Sequence, residues 1–387
     1  MNRIVKPSKR ALNVAPFLAM DMLREAGNLA AAGADIVHME VGQPSGPPPR
    51  LVAEAARKAL QSGTIGYTEA KGLPALRERI AVHYTDTYGV SVDPAQVVVT
   101  TGSSGSFVLA FLAAFDAGAR VALTSPGYPA YRNIFNALGI EVADIETSAA
   151  DRWAPTAEAV RNLVSHGGLD GLLVASPANP TGTMLMPDTL SALADTCAEN
   201  GIWFISDEIY HGLDYAVPKA TALSTSPDAI VINSFSKYYC MTGWRIGWMI
   251  VPPSLVRTAE VLAQSLYISA PTLSQYAAIA AFDATEELEQ RKAAYAGNRA
   301  FLLDALPGIG IKDFSPVDGA FYIYADVGRF TNDSFAFAQK MLGEIGVAVT
   351  PGADFDPHRG HRYVRMSFAG TRDEMERAVT RLKDWLK

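Results

Sequence analysis

Cysteine is scarce in this chain. Cys197 and Cys240 are the only two among 387 residues, and no metal-type spacing links them. A disulfide framework or a cysteine-rich zinc site is therefore not expected, and a reducing compartment, the cytoplasm, is. The six histidines form no HxxxH or HExxH pattern, so neither a metal nor a histidine nucleophile is assigned. His211 follows Tyr210 and is expected to face the opposite way. Positive charge is in deficit, with 33 Lys and Arg against 40 Asp and Glu and a net charge of −7. That balance argues against a nucleic-acid-binding face, which needs a basic patch. Long apolar runs are missing too. Phe107–Phe115 is far too short to span a bilayer and reads as a buried helix. The basic stretch Met1–Arg10 leads into Asp21, Arg24 and Glu25 rather than an uncharged segment, so neither a signal peptide nor a transmembrane helix is expected. There are no internal repeats or low-complexity segments. No GxGxxG follows the first strand, which disfavours a nicotinamide-dependent dehydrogenase.

What is present is an ordinary globular composition, 49% apolar and 19% charged, in a chain long enough for two packed domains. Short β-rich runs at 96–100, 120–123, 141–145, 171–175, 202–206, 229–233 and 246–251 alternate with helical patterns such as 106–114 and 188–200. Such alternation predicts an α/β protein with a mostly parallel sheet covered on both faces. Past about Glu286 the pattern changes. A helix-like stretch 286–306, a strand 321–325, a helix near 334–345, a short strand near 348–350 and a run 363–368 suggest a smaller α+β domain. The segment before about Gln43 has no strand partner of its own and is expected to pack there. The expected divisions are 1–45, 46–285 and 286–387.

Ligands in parallel sheets bind beyond the carboxyl ends of the strands. Polar groups collect at those ends. Ser234-Phe235-Ser236-Lys237 follows one strand, with Gly243-Trp244-Arg245 just beyond. An imine-forming lysine must be deprotonated, and burial or a nearby cation such as Arg245 favours that state. Asp207 ends another strand. It is either a helix N-cap or the partner of a ring nitrogen that must stay protonated. Tyr210 lies three residues on, available to a phenolic oxygen or simply packed. Asn179, in Asn179-Pro180-Thr181-Gly182, is held out of the α region by the proline, whether as a turn or aimed into a cleft. Thr101-Gly102-Ser103-Ser104-Gly105-Ser106 joins a strand to a helix and offers free N–H groups and hydroxyls to an anion. With Ser234 and Arg245 that anion becomes a phosphate. Tyr128 is placed to lie flat on an aromatic ring or to pack in its loop. Arg365, unusual in the strand-like 363–367, is a clamp for a carboxylate or an edge-strand residue. Together these groups suit one cofactor, pyridoxal 5′-phosphate, which needs an amine, a carboxylate and a phosphate site at once.

The chain resembles the class I and II aminotransferases of fold type I, the aspartate aminotransferase superfamily. The likeness runs from Val41-Gly42-Gln43-Pro44 through Tyr67–Arg77 to Arg365. It is most specific in Ser234–Lys237 with Thr242–Gly247. It implies a large cofactor-binding domain with a seven-stranded, mostly parallel sheet, and a smaller domain from both chain ends. It also implies that Lys237 forms the imine and carries the proton, and that Asp207 pairs with the ring nitrogen. Tyr210 and Asn179 would bind the ring's 3-oxygen, and Tyr128 would stack on the ring. Ser103, Ser104, Ser234 and Arg245 would form the phosphate cup. Arg365 would clamp the substrate's α-carboxylate, with Gly42 contacting it through the backbone. Tyr67 would reach the phosphate of a neighbouring subunit, so a homodimer follows. The expected reaction passes an amino group from an amino acid to a 2-oxo acid by ping-pong exchange. A carbon–sulfur lyase would use the same lysine and cup. A non-catalytic regulatory module would usually add a DNA-binding domain, for which no room is expected at either end. Donor preference stays open. Arg24, Lys71 and Arg132 are candidate second cations, and Tyr67, Tyr128, Tyr131, Tyr267 and Tyr322 are candidate pocket walls.

Overall fold

The computed structural model describes residues 6–63 and 65–387. Met1–Val5, the start of the basic N-terminal stretch, and Thr64 lie outside the described residues. Among the described residues twelve strands are formed, in chain order. They are β1 (Val37–His38), β2 (Val97–Thr100), β3 (Arg120–Ser125), β4 (Glu141–Glu146), β5 (Gly171–Ala175), β6 (Trp203–Asp207), β7 (Ile230–Ser234), β8 (Gly247–Ile250), β9 (Tyr322–Asp326), β10 (Val347–Ala348), β11 (Thr350–Pro351) and β12 (Tyr363–Ser367).

Seven of them make one sheet in the order β2-β8-β7-β6-β5-β3-β4. Every pairing is parallel except the two made by β8, which runs against β2 and β7. The strands are apolar almost throughout because both faces are covered. Alternate residues serve opposite cores. Leu172, Val174, Phe204, Val231 and Trp248 face the helices at 50–61, 74–88, 187–200 and 272–281. Leu173, Ile205, Ile232 and Met249 face those at 102–114, 129–138 and 253–267. Among the described residues no helix is long and apolar enough to cross a membrane.

A separate apolar cluster joins the two ends of the chain. Met22 and Ala26 of helix Leu18–Ala31 pack with Val37, Met39, Phe321, Leu342 and Met375. β1 pairs parallel with β10, and β9, β12 and β11 form an antiparallel sheet beside it. The expected single strand near 348–350 is two short strands, β10 and β11, that belong to different sheets.

The helix that follows β2 begins at Gly102, so Ser103 and Ser104 occupy its first turn rather than a loop ahead of it. β8 approaches it closely. A Cβ at Gly247 would stand 2.9 Å from the Ser103 nitrogen and from the Asn233 carbonyl oxygen. Only glycine lets that helix start rest on the sheet.

Candidate active site

The parallel strands bring their carboxyl ends to one edge of the sheet. β8, being reversed, brings its amino end there, with Gly247 opposite both Thr100 and Ser234. A cavity of about 420 Å3 opens at this edge, a size typical of small-molecule sites. Lys237, Asp207, Tyr210, Asn179 and Tyr128 line it. So do Ser103, Ser104 and Arg245, and, from the chain-end cluster, Gly42 and Arg365.

The Lys237 Nζ donates to the Gly42 carbonyl and stands 5.6 Å from the centre of the Tyr210 ring. Burial, with Arg365 and Arg245 nearby, pulls its pKa down from the usual 10.5 to about 7. A substantial fraction is then free amine at neutral pH, the form that attacks a carbonyl. Asp207 is 2% exposed, and burial pushes its carboxyl up to about 6. Two donors hold it in place. The Tyr131 hydroxyl donates to Oδ2, and the Ile209 N–H donates to Oδ1 at 3.1 Å. No helix follows, so Asp207 is not an N-cap.

Arg365 is fixed between the Tyr322 and Phe355 rings, 4.4 and 4.9 Å from their centres. It donates to the Asn179 Oδ1 at 2.9 Å and to the Thr350 Oγ1 at 3.1 Å, while its buried Nε has no partner. Tyr322 also bonds the Tyr210 hydroxyl at 2.8 Å. A Cβ at Gly42 would lie 2.3 Å from the Tyr322 Oη, so the backbone can pass here only as glycine.

Arg245 adopts a left-handed conformation, φ 51° and ψ 53°, at the end of the short turn Thr242–Trp244. This lays its guanidinium across the start of helix Gly102–Ala114. Gly102 has φ +74°, and a Cβ there would come within 2.7 Å of the Arg245 Nη2. Helix N–H groups, two serines and an arginine thus frame an anion cradle. The residues fit pyridoxal phosphate: an available amine, a buried carboxylate for a ring nitrogen, and a cradle for the phosphate.

Two expected residues stand off the cavity wall. Ser234 is 1% exposed, and its hydroxyl is engaged with the Ile246 carbonyl and the Ser236 Oγ. Ser236 and Thr242 line the cavity instead. Tyr67 is 82% exposed and does not reach the cavity of its own chain. None of the candidate second cations reaches it either. Arg24 pairs with Asp21, Lys71 donates to the Ala95 carbonyl, and Arg132 pairs with Asp144. Tyr128, Tyr131 and Tyr322 are walls, whereas Tyr67 and Tyr267 are not. His211 is buried against Tyr88 and Glu208, away from the cavity.

Sequence reading missed the wall formed by Phe17, Ala19, Met20 and Leu23. Helix Leu18–Ala31 buries Met22 and Ala26 in the chain-end cluster and turns Ala19, Met20 and Leu23 toward the cavity. The segment before Gln43 was expected only to pack against the smaller domain, and its cavity-facing side was not foreseen. Glu40 was also missed, for want of any motif around it.

Fold and site together define an α/β protein whose cavity gathers a buried lysine, a buried carboxylate and an anion cradle. The chain belongs to the class I and II aminotransferases, whose family model matches residues 34–382. It is 49% identical to a valine–pyruvate aminotransferase of Mycobacterium tuberculosis over 96% of this chain and 97% of that one. A crystal structure of an aminotransferase from the same organism superposes with a TM-score of 0.97 at 48% identity, covering 99% of both chains. Aspartate aminotransferase from Thermus thermophilus with maleate gives 0.93 at 30% identity, over 98% of this chain and 100% of the other. The protein is a pyridoxal-phosphate-dependent aminotransferase that moves an amino group between an amino acid and a 2-oxo acid.

Proposed function

We propose that the preferred amino donor carries an uncharged, apolar side chain and that a small 2-oxo acid such as pyruvate is the acceptor. The observation that carries this reading is the cavity wall. Among the described residues its cations are Lys237, Arg245 and Arg365, each with a role already, and Phe17, Met20, Leu23 and Val41 supply an apolar surface. Within the described residues of one chain, a second carboxylate on the substrate would meet no further fork. The relative named for valine and pyruvate agrees.

In this reading the Lys237 Nζ would hold the cofactor, and its free amine would take up the proton from the substrate α-carbon. When bound, the cofactor supplies an electron sink and carries the amino group between half-reactions. Asp207 would keep the ring nitrogen protonated, and Tyr210 and Asn179 would donate to the ring oxygen. Tyr128 covers the ring face. Ser103, Ser104, Ser236 and Arg245 hold the phosphate. Arg365 clamps the α-carboxylate beside the Gly42 backbone. Exposed Tyr67 serves the site of a second copy, which makes the working form a homodimer in the cytoplasm. We assign 46–285 to the cofactor-binding domain and 1–45 with 286–387 to the smaller one; most of the described apolar core divides this way, although Tyr210 and Leu213 pack with the chain-end cluster and Leu288 with the large-sheet cluster.

The test is a panel of donors read by the spectral change of the bound cofactor. Valine and other apolar amino acids should react at least about tenfold faster than aspartate or glutamate, since an unpaired buried carboxylate is costly. Faster reaction with the dicarboxylates would overturn the proposal.

A further inference from the structure

We infer that Tyr131 is a positioning residue whose hydroxyl fixes the Asp207 carboxylate and keeps it ionised against the cofactor's ring nitrogen. The inference rests on the functional reading above and extends it to a residue outside the usual motifs. Tyr131 sits in the first turns of helix Pro129–Leu138, three residues after Tyr128, and is 5% exposed. Its ring is locked edge-on by Phe107 and Tyr128, with centroids 5.0 and 5.4 Å away. Only the hydroxyl is left to make a polar contact, and it meets the Asp207 Oδ2.

The chemistry follows from that contact. A buried carboxylate tends to take up a proton, and a neutral acid cannot stabilise a pyridinium charge. The Tyr131 hydroxyl opposes this, as does the Ile209 N–H on the other oxygen. Burial holds the phenol well above its usual range, so Tyr131 stays a donor across the working pH. The two donors come from different elements, helix 129–138 and the turn after β6. Together they fix both the plane and the charge of the carboxylate.

Tyr131→Phe removes the hydroxyl and keeps the ring packing. With 15N-labelled cofactor bound, the ring-nitrogen resonance of this variant at neutral pH should move toward the unprotonated position. The shift should correspond to about a tenfold change in the balance between the two proton positions, the worth of one hydrogen bond to a charged group. The kcat should fall while the donor KM stays close to wild type. Adding Tyr131→Phe to Asp207→Asn should shift the resonance no further than Asp207→Asn alone, because the effect runs through Asp207. Should Y131F not fold, 3-fluorotyrosine placed at position 131, a stronger donor of the same shape, should leave the ring nitrogen at least as protonated as in wild type. An unchanged resonance in Y131F, or loss of protonation with the fluorinated residue, overturns the inference while the functional reading stands. A wild-type protein that takes up no cofactor overturns both.

Discussion

Asp207 and Glu208 are adjacent and both buried, yet only Asp207 reaches the cavity. Glu208 turns into the core, where its Oε1 accepts from the Thr221 hydroxyl at 3.0 Å, the Ala222 N–H at 2.8 Å and the Ser206 hydroxyl at 3.2 Å. Its Oε2 has no partner, and burial pushes its carboxyl up to about 8. A carboxyl whose pKa is raised on folding stabilises the fold most below its unfolded value. That contribution is lost as pH climbs through the folded value. The window for Glu208 therefore runs from 4.5 to about 8. Glu208→Gln keeps an oxygen for the three donors and cannot ionise. Thermal melts of the two proteins should converge at low pH, and the variant should melt higher above pH 8. A gap that does not change with pH would contradict this account.

At the scale of elements, the helix Leu18–Ala31 shows how one wall of the cavity is held. Its own N-cap, Phe17, has no side-chain cap. The cap comes from Asp354, whose two carboxylate oxygens accept the Leu18 and Ala19 N–H groups at 2.9 and 3.1 Å. Asn133 clamps Ala15, two residues ahead of Phe17, accepting its N–H and donating to its carbonyl. Asp354→Ala should cost about 1 kcal/mol of stability and raise the donor KM more than it lowers kcat, since Ala19, Met20 and Leu23 ride on this helix. A calorimetric melt with steady-state kinetics checks both parts, and an unchanged KM would show that the wall does not need the cap.

This cap also marks what the sequence could not disclose. The seven strands of the large sheet were legible because strands buried on both faces read as apolar runs. Their ends drifted by a residue or two, as at Asp207 and Ser234, because backbone pairing continues past the last apolar side chain. That Lys237, Asp207, Asn179 and Arg245 come together at one cavity was legible because polar groups near strand ends stand out. The reversal of β8, the hold of Tyr131 on Asp207 and the inward face of helix Leu18–Ala31 depend on contacts between distant segments, which no local pattern carries.

At the scale of the whole molecule, the cavity belongs to neither packing unit alone. The large-sheet side contributes Lys237, Asp207 and the anion cradle. The chain-end segments contribute Arg365 from β12, Gly42 from beyond β1 and Tyr322 from β9, and the Lys237–Gly42 contact joins the two sides. The central claim is that the cofactor is held by Lys237, whose burial gives it a pKa of about 7. The direct measurement is to load the protein with pyridoxal phosphate, reduce it with borohydride, digest it and locate the added mass. One pyridoxyl group per chain, on the peptide carrying Lys237, is the predicted result. A label on another lysine, or no stable label at all, would contradict it.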